Sequence, residues 1–262
     1  MKYYVVADPH GFCGYLRQAL EEAGFFEDKE PHKLIVCGDV LDRGREPAET
    51  VEFLLELASK DMLILVRGNH EDLFMRCLHD ISSGYVEDIA CGCSYHYDNR
   101  TWHSMIQLAK MSESNAVKYT PSFVMKLRNS RFYRELLPLC VDYFETEHYV
   151  FCHGWIPVLN RGDRYAPVYE YDPDWRNADL KSWENARWYN GMQMACEFGI
   201  KEPGKTIVCG HWHTSFGHVH YENREDMRAA ENDHSPFIAD GIIALDATTV
   251  RSKKVNCIVI ED

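Results

Sequence analysis

The sequence predicts an α/β fold of central mixed β-sheets flanked by helices, with a parallel βαβαβ unit in the N-terminal half and a more antiparallel C-terminal half. Three observations carry this expectation. Apolar runs and helical stripes alternate over the first 80 residues. Those runs are apolar throughout, as strands buried on both faces must be. Further apolar runs follow residue 138, several close enough in sequence to pair antiparallel.

The elements follow in order. The run KYYVVA (2–7) precedes YLRQALEEAGF (15–25), whose apolar positions recur at helical spacing. After KLIVC (33–37) comes PAETVEFLLELASK (47–60), where Pro47 suits a first helical turn and Val51, Leu54, Leu55 and Ala58 form a stripe. The run MLILV (62–66) leads into a third helix from Glu71. Residues 81–138 then lose the alternation and hold two helical stretches, TWHSMIQLAKM and PSFVMKLRNSRFYREL, without a clear strand. Five more strands are expected in CVDYFE, HYVFC, TIVCG, GIIAL and NCIVI. The chain therefore reads as one domain, 1–262, with a helical insertion at about 81–138 and a long substrate-side loop at about 156–203.

Composition narrows the function. A formal net charge of −13 argues against a partner that is a nucleic-acid polymer, which needs a positive footprint. A nucleotide substrate stays open, because bound metal would invert the local field. The N-terminus enters its first strand at once, without a leader pattern, and no apolar run spans a membrane. Ten cysteines show no recurring framework spacing, and Cys37, Cys152 and Cys209 end apolar runs, so reduced thiols in a cytoplasm are expected. Oligomeric state is left open.

Each early strand ends in a polar cluster beside glycine: Asp8-Pro9-His10-Gly11, then Gly38-Asp39-Val40-Leu41-Asp42-Arg43-Gly44, then Gly68-Asn69-His70-Glu71. Two later strands end in His153-Gly154 and Gly210-His211-Trp212-His213. Ligands of open α/β sheets collect at the carboxyl ends of strands, so the five clusters can converge. A mixture of carboxylate, imidazole and carboxamide donors suits Mn, Fe or Zn better than calcium or a thiolate zinc site.

Taken together, these motifs resemble those of the calcineurin-like metallophosphoesterases, and GDVLDRG with GNHE is similar to the serine/threonine phosphoprotein phosphatase branch. The likeness runs from Asp8 to about Asp246 and leaves 81–138 and 156–203 unmatched. It implies two divalent or trivalent metal ions, Mn or Fe first and Zn as a further candidate. Asp8, His10 and His213 would hold one, Asn69, His153 and His211 the other, and Asp39 would bridge. The resemblance further implies that His70 protonates the leaving oxygen, that Asp42 orients it, and that Arg43 clamps the phosphate. A second clamp is expected from 156–203, where SWENARW makes Arg187 the candidate; Arg161, Arg164, Arg176, Lys181, Arg187 and Lys201 are the cations of that segment that would offset the acidic surface around the cleft.

Three departures bear on substrate. The first motif reads ADPHG, the fourth carries Trp155 where a glycine is usual and is expected to narrow the pocket, and GHWH keeps two histidines. With Trp183, Trp188 and Trp212 near these motifs, a dinucleoside polyphosphate or other nucleotide competes as substrate with a phosphorylated protein or small phosphate ester. A non-catalytic scaffold is the third reading, and the complete ligand set with His70 and Asp42 speaks against it. Asp246, which ends IIALD, is expected to be structural.

Overall fold

The structure is a computed structural model that describes residues 1–163, 166–222 and 226–262, so Arg164 lies outside the described residues. Its strands are β1 (Lys2–Val6), β2 (His32–Cys37), β3 (Leu63–Val66), β4 (Cys140–Val141), β5 (Phe144–Glu145), β6 (Tyr149–Phe151), β7 (Val158–Asn160), β8 (Tyr169–Tyr171), β9 (Thr206–Cys209), β10 (Phe237–Ala239), β11 (Ile242–Ala244) and β12 (Cys257–Glu261). Helices α1 (Cys13–Glu22) and α2 (Pro47–Ser59) cross between the first three strands as the alternation requires. Helix α3 (Asn69–Ser82) starts two residues earlier than expected, which puts Asn69 and His70 in its first turn.

The first sheet has the order β12-β1-β2-β3-β4, with β1 to β4 parallel and β12 returning antiparallel to β1. The second has the order β10-β11-β9-β6-β5. Its centre differs from the antiparallel expectation: β6, β9 and β11 run parallel, and only the edges β5 and β10 are antiparallel. The connections from β6 to β9 and from β9 to β11 carry helices, and such crossovers are what parallel pairing needs. The run CVDYFE also divides, giving β4 to the first sheet and β5 to the second.

Alternation along the strands builds the layers. Tyr4, Val6, Leu34 and Val36 face α1, α2 and the insertion, meeting Leu16, Leu20, Leu54 and Phe74. Their neighbours Tyr3, Val5, Ile35 and Cys37 face the other way, onto Phe151, Val208 and Leu245 of the second sheet. The outer face of that sheet, with Val150, Cys152, Ile207 and Cys209, packs on Trp155, Trp175, Trp183 and Met192. Helices, sheet, sheet, helices is thus a four-layer arrangement, and each fully buried aliphatic or aromatic side chain contributes roughly 1.5–3 kcal/mol to it.

The insertion is helical, as expected: α4 (Val86–Ala90), α5 (Tyr95–Asp98), α6 (Thr101–Ala109), α7 (Glu113–Lys118) and α8 (Thr120–Arg128) follow α3. Trp102 of α6 is fully buried with its ring edge-on to Phe123 of α8, 5.3 Å between centroids. The expected loop at 156–203 is more ordered than its composition suggested. It holds the β7–β8 hairpin and helices Leu180–Ala186 and Gly191–Cys196. The cause is its aromatic content: Trp175 donates its indole N–H to Glu202 within the segment at 2.8 Å, and Trp175 and Trp183 pack in the core outside the second sheet. Among the described residues no helix is long and apolar enough to cross a membrane.

Candidate metal centre

The five clusters meet where the carboxyl ends of β1, β2, β3, β6 and β9 come together. Backbone bonds tie the loops to one another: Asp8 N–H donates to Gly38 O (3.3 Å), His10 N–H to Asp39 O (2.9 Å), and Gly210 N–H to His153 O (2.8 Å). Asp8, His10, Asp39, Asp42, Arg43 and His211 all have left-handed backbone, with φ between 47° and 72°. That conformation costs about 1–3 kcal/mol for each non-glycine residue and collects at functional sites, where the surroundings enforce it. Close approach also needs two bare glycines. A Cβ on Gly68 would lie 2.2 Å from Asp39 Oδ1, and one on Gly210 would lie 2.0 Å from Asp8 Oδ2.

Asp39 is the centre of the cluster. Its Oδ2 stands 3.7 Å from His10 Nε2 and 3.8 Å from His70 Nε2, while its Oδ1 stands 3.3 Å from His153 Nε2. Ligand atoms of His10, Asp39 and His70 all lie within 4.8 Å of one another, and so do those of Asp39, His153 and His211. Asn69 Oδ1 lies 2.8 Å from His153 Nε2, and both Asp8 carboxylate oxygens receive the His211 backbone N–H, at 3.1 and 3.0 Å. His213 Nε2 lies 3.8 Å from Asp246 Oδ2.

Proton placement shows that this set fits a cation. His153 Nδ1 lies 2.8 Å from Cys37 O and His10 Nδ1 lies 2.9 Å from Leu41 O, so each ring donates from Nδ1 to a carbonyl. Burial pushes both imidazoles below their ordinary pKa, which favours the neutral ring, whose Nε2 carries a lone pair when Nδ1 holds the proton. Those lone pairs face the oxygens of Asp39 and Asn69. Acceptor facing acceptor is unfavourable until a positive ion sits between them, and the carbonyl bond at the far nitrogen is the usual support of a metal-binding histidine.

The remaining electrostatics agree. Burial would raise the Asp39 carboxyl, yet His153, His70, His10 and His211 together hold it well below the usual carboxylate range. Burial, with His153 beside it, lowers His211 to about 3. Burial, then the charge of Arg43, lowers His213 to about 4. Asp8 is pushed up by burial and by its neighbours Asp246 and Asp39. His70 goes the other way: burial pulls it down, but Asp39 and the hydrogen bond to Asp42 outweigh that and raise it.

His70 Nδ1 lies 2.7 Å from Asp42 Oδ2, which also accepts the Thr101 hydroxyl at 2.7 Å, and Asp42 N–H donates to Ser104 Oγ at 3.1 Å. Thr101 and Ser104 belong to α6, so the insertion fixes the partner of His70. No motif in the sequence marks either residue. Glu71 was likewise missed: it receives backbone N–H bonds from Gly68 (2.7 Å), Asp39 (3.1 Å) and Val40 (3.0 Å), stitching the second and third loops together. Asp246, expected to be structural, is buried against Asp8 and His213, and burial raises it to about 7. Its place at the end of β11 was the available signal, under the same strand-end rule as the others.

Two expectations need correction. Arg187 is only 2 % exposed and donates Nη1 to Asp72 (2.8 Å) and Nη2 to Asp142 (2.5 Å). Its guanidinium is held by two carboxylates and is not free to fork onto a phosphate. Trp155 does not narrow a pocket: it is 1 % exposed and packs in the core outside the second sheet. Trp183 is buried there as well, whereas Trp188 and Trp212 are exposed and both set their rings edge-on to His211, at 5.7 and 6.5 Å. Arg43 has no ion-pair partner among the described residues, and its charge acts on Asp8, His10, Asp246 and His213.

A four-layer α/β fold with buried imidazoles and carboxylates gathered at its strand ends defines a metal-dependent hydrolase. The chain belongs to the calcineurin-like phosphoesterase family, whose sequence profile matches residues 1–215. That family uses two metal ions and acts on phosphate esters. A search of curated proteins found no match. Among solved structures, a cold-active protein tyrosine phosphatase aligns with 99% of this chain and 73% of its own, at 14% identity and a TM-score of 0.51. A cold-active protein-tyrosine phosphatase of a psychrophile, Shewanella sp., aligns with 100% of this chain and 75% of its own, at 15% identity and a TM-score of 0.50. At such identities the likeness concerns the fold alone.

Proposed function

We propose that this single-domain hydrolase cleaves phosphate monoesters and is of the phosphoprotein phosphatase type. Asp8, His10 and His213 would hold one ion, Asn69, His153 and His211 the other, and Asp39 both, with Mn or Fe the best match to these donors and Zn next. When bound, the ions supply the activated water and the positive charge that phosphoryl transfer needs. Arg43 binds the phosphate oxygens by its planar fork. His70, held by Asp42, gives its proton to the leaving oxygen, and the hydrogen bond to Asp42 favours the protonated ring. The single observation that supports this reading most is the acceptor-lined gap around Asp39, with a hydrogen-bonded His70–Asp42 pair beside it.

A second reading, hydrolysis of a nucleotide or dinucleoside polyphosphate, is supported by exposed Trp188 and Trp212, whose faces could stack a base next to His211. One panel tests both readings: a phosphoserine peptide, para-nitrophenyl phosphate and a dinucleoside polyphosphate, each with added Mn²⁺. Preference for the peptide supports the first reading, preference for the dinucleotide replaces it with the second, and inactivity on all three refutes both.

A further inference from the structure

A cleft of about 710 Å³ opens beside the metal cluster, and Arg43, Arg45, Arg100 and Lys253 line it together with the aromatic rings of Phe12 and Tyr15. Four cations on one cleft run against the charge of a chain whose formal net is −13. Among the described residues Arg43, Arg45 and Arg100 form no ion pair. Among the described residues Lys253 Nζ bonds only the carbonyl of Val250, at 2.8 Å. The one acid on the cleft, Glu46, accepts the backbone N–H of Gly14 at 2.8 Å.

Three of these four cations also have left-handed backbone. Arg43, Arg100 and Lys253 have φ of 57°, 63° and 59°, left-handed values that arginine and lysine seldom adopt. Three segments far apart in sequence, the loop after β2, the start of α6 and the turn before β12, each spend such a residue here. The loop that carries Arg43 and Arg45 joins this cleft to the first ligand loop, since Gly44 N–H donates to His10 O and Glu46 N–H to Gly11 O, both at 2.8 Å. The insertion contributes Arg100 directly before Thr101, whose hydroxyl holds Asp42.

We infer that this cleft is a second phosphate subsite, which receives a further phosphate carried by the same substrate molecule as the scissile one. The inference rests on the phosphomonoesterase reading above and adds to it the class of substrate: esters with at least two phosphates. Unpaired guanidinium forks suit phosphate oxygens, and the Phe12–Tyr15 pair, 5.7 Å between ring centroids, supplies an apolar wall for the group that links the two phosphates. A second phosphate could come from a multiply phosphorylated protein segment or from a nucleotide bisphosphate. The chemistry at the subsite is the same in both.

The test uses the Mn²⁺-loaded enzyme and two matched pairs of substrates. One pair is a phosphoserine peptide with and without a second phosphoserine two residues away. The other is adenosine 3′-monophosphate and adenosine 3′,5′-bisphosphate, which share the 3′ ester. For each pair the ratio of kcat/KM, bisphosphate over monophosphate, is measured in the parent protein and in a double variant, Arg45→Ala with Arg100→Asn. Asparagine tolerates the left-handed backbone at position 100. A control, Arg128→Ala with Arg134→Ala, removes the same charge from an exposed surface outside the cleft.

The expected result is a ratio above one in at least one pair, which falls on the order of tenfold or more in the cleft variant and stays unchanged in the control. The pair that shows the preference identifies the source of the second phosphate. A ratio of one in both pairs, or a preference that survives in the cleft variant or falls equally in the control, overturns the subsite while leaving phosphomonoesterase activity intact. No hydrolysis of any of the four substrates overturns the phosphomonoesterase reading, and the subsite falls with it.

Discussion

Replacement of Glu71 tests how the ligand loops are held. Its carboxylate receives three buried backbone N–H groups: Oε2 those of Gly68 (2.7 Å) and Asp39 (3.1 Å), Oε1 that of Val40 (3.0 Å). Burial raises this carboxyl to about 7, so charge itself adds little to the folded state and the geometry of acceptance is what matters. Each buried N–H left unsatisfied costs about 1–3 kcal/mol. Glu71→Ala strands all three and is expected to cost about 3–5 kcal/mol, allowing for partial rescue by water. Glu71→Gln keeps one acceptor oxygen for Gly68 and Asp39 but points an amide N–H at Val40 N–H, so a loss of about 1–3 kcal/mol is expected. Urea unfolding with a constant m-value gives these differences. Because the stitch positions Asp39 and the first turn of α3, metal content at limiting Mn²⁺ should fall in the same order, Ala below Gln below parent. A Glu71→Ala protein within about 0.5 kcal/mol of the parent, the range of ordinary surface changes, and with full metal content would refute the reasoning.

Three further outcomes are expected. His70→Asn should keep metal content and lower turnover of phenyl phosphate by about 10²–10⁴-fold, with a smaller loss on para-nitrophenyl phosphate, whose leaving anion needs little protonation; equal losses would exclude a general acid. Trp155→Gly should cost about 3–5 kcal/mol of stability by opening a core cavity, without altering the preference between a phosphopeptide and a small aryl phosphate, as thermal unfolding and paired kinetics can check. The Arg176 hydrogen bonds lower Glu145 to about 2, below the ordinary 4.5, so the stability this pair contributes is complete above pH 4.5 and is lost as pH falls towards 2. Arg176→Met should therefore unfold more readily than the parent at pH 6 and show a flatter decline between pH 4.5 and 2; parallel curves in urea titrations would count against it.

Much of the site was legible because its logic is local. An apolar strand ending in glycine and a donor residue announces itself in a few positions, and Asp8, Asp39, Asn69, His153 and His211 were found that way. Residues that hold those donors obey no such local rule. Glu71 could be seen as part of GNHE, but its three bonds reach a loop about thirty residues earlier, and Thr101 and Ser104 reach Asp42 from a helix no motif marks. Asp246 ended a strand like the others yet had no glycine or histidine beside it. In the fold, the βαβαβ half followed from apolar periodicity, and the neighbouring runs that form β5 and β6 do pair antiparallel, whereas the parallel centre of the second sheet depends on which distant runs pair, which no local pattern shows. Trp155 was misjudged for a related reason. Its motif lies at the site, but the outer face of the second sheet claims the side chain, since a tryptophan finds more apolar contact there than at a polar strand end.

The central claim is that Asp39 bridges two metal ions. Anomalous diffraction from crystals of the Mn²⁺-loaded protein tests it most directly, because it locates manganese without assuming ligands. Two peaks about 3.5–4 Å apart are expected with Asp39 between them, one beside His10 and Asp8, the other beside Asn69, His153 and His211. A single peak away from Asp39, or none at full Mn²⁺ loading, would contradict it.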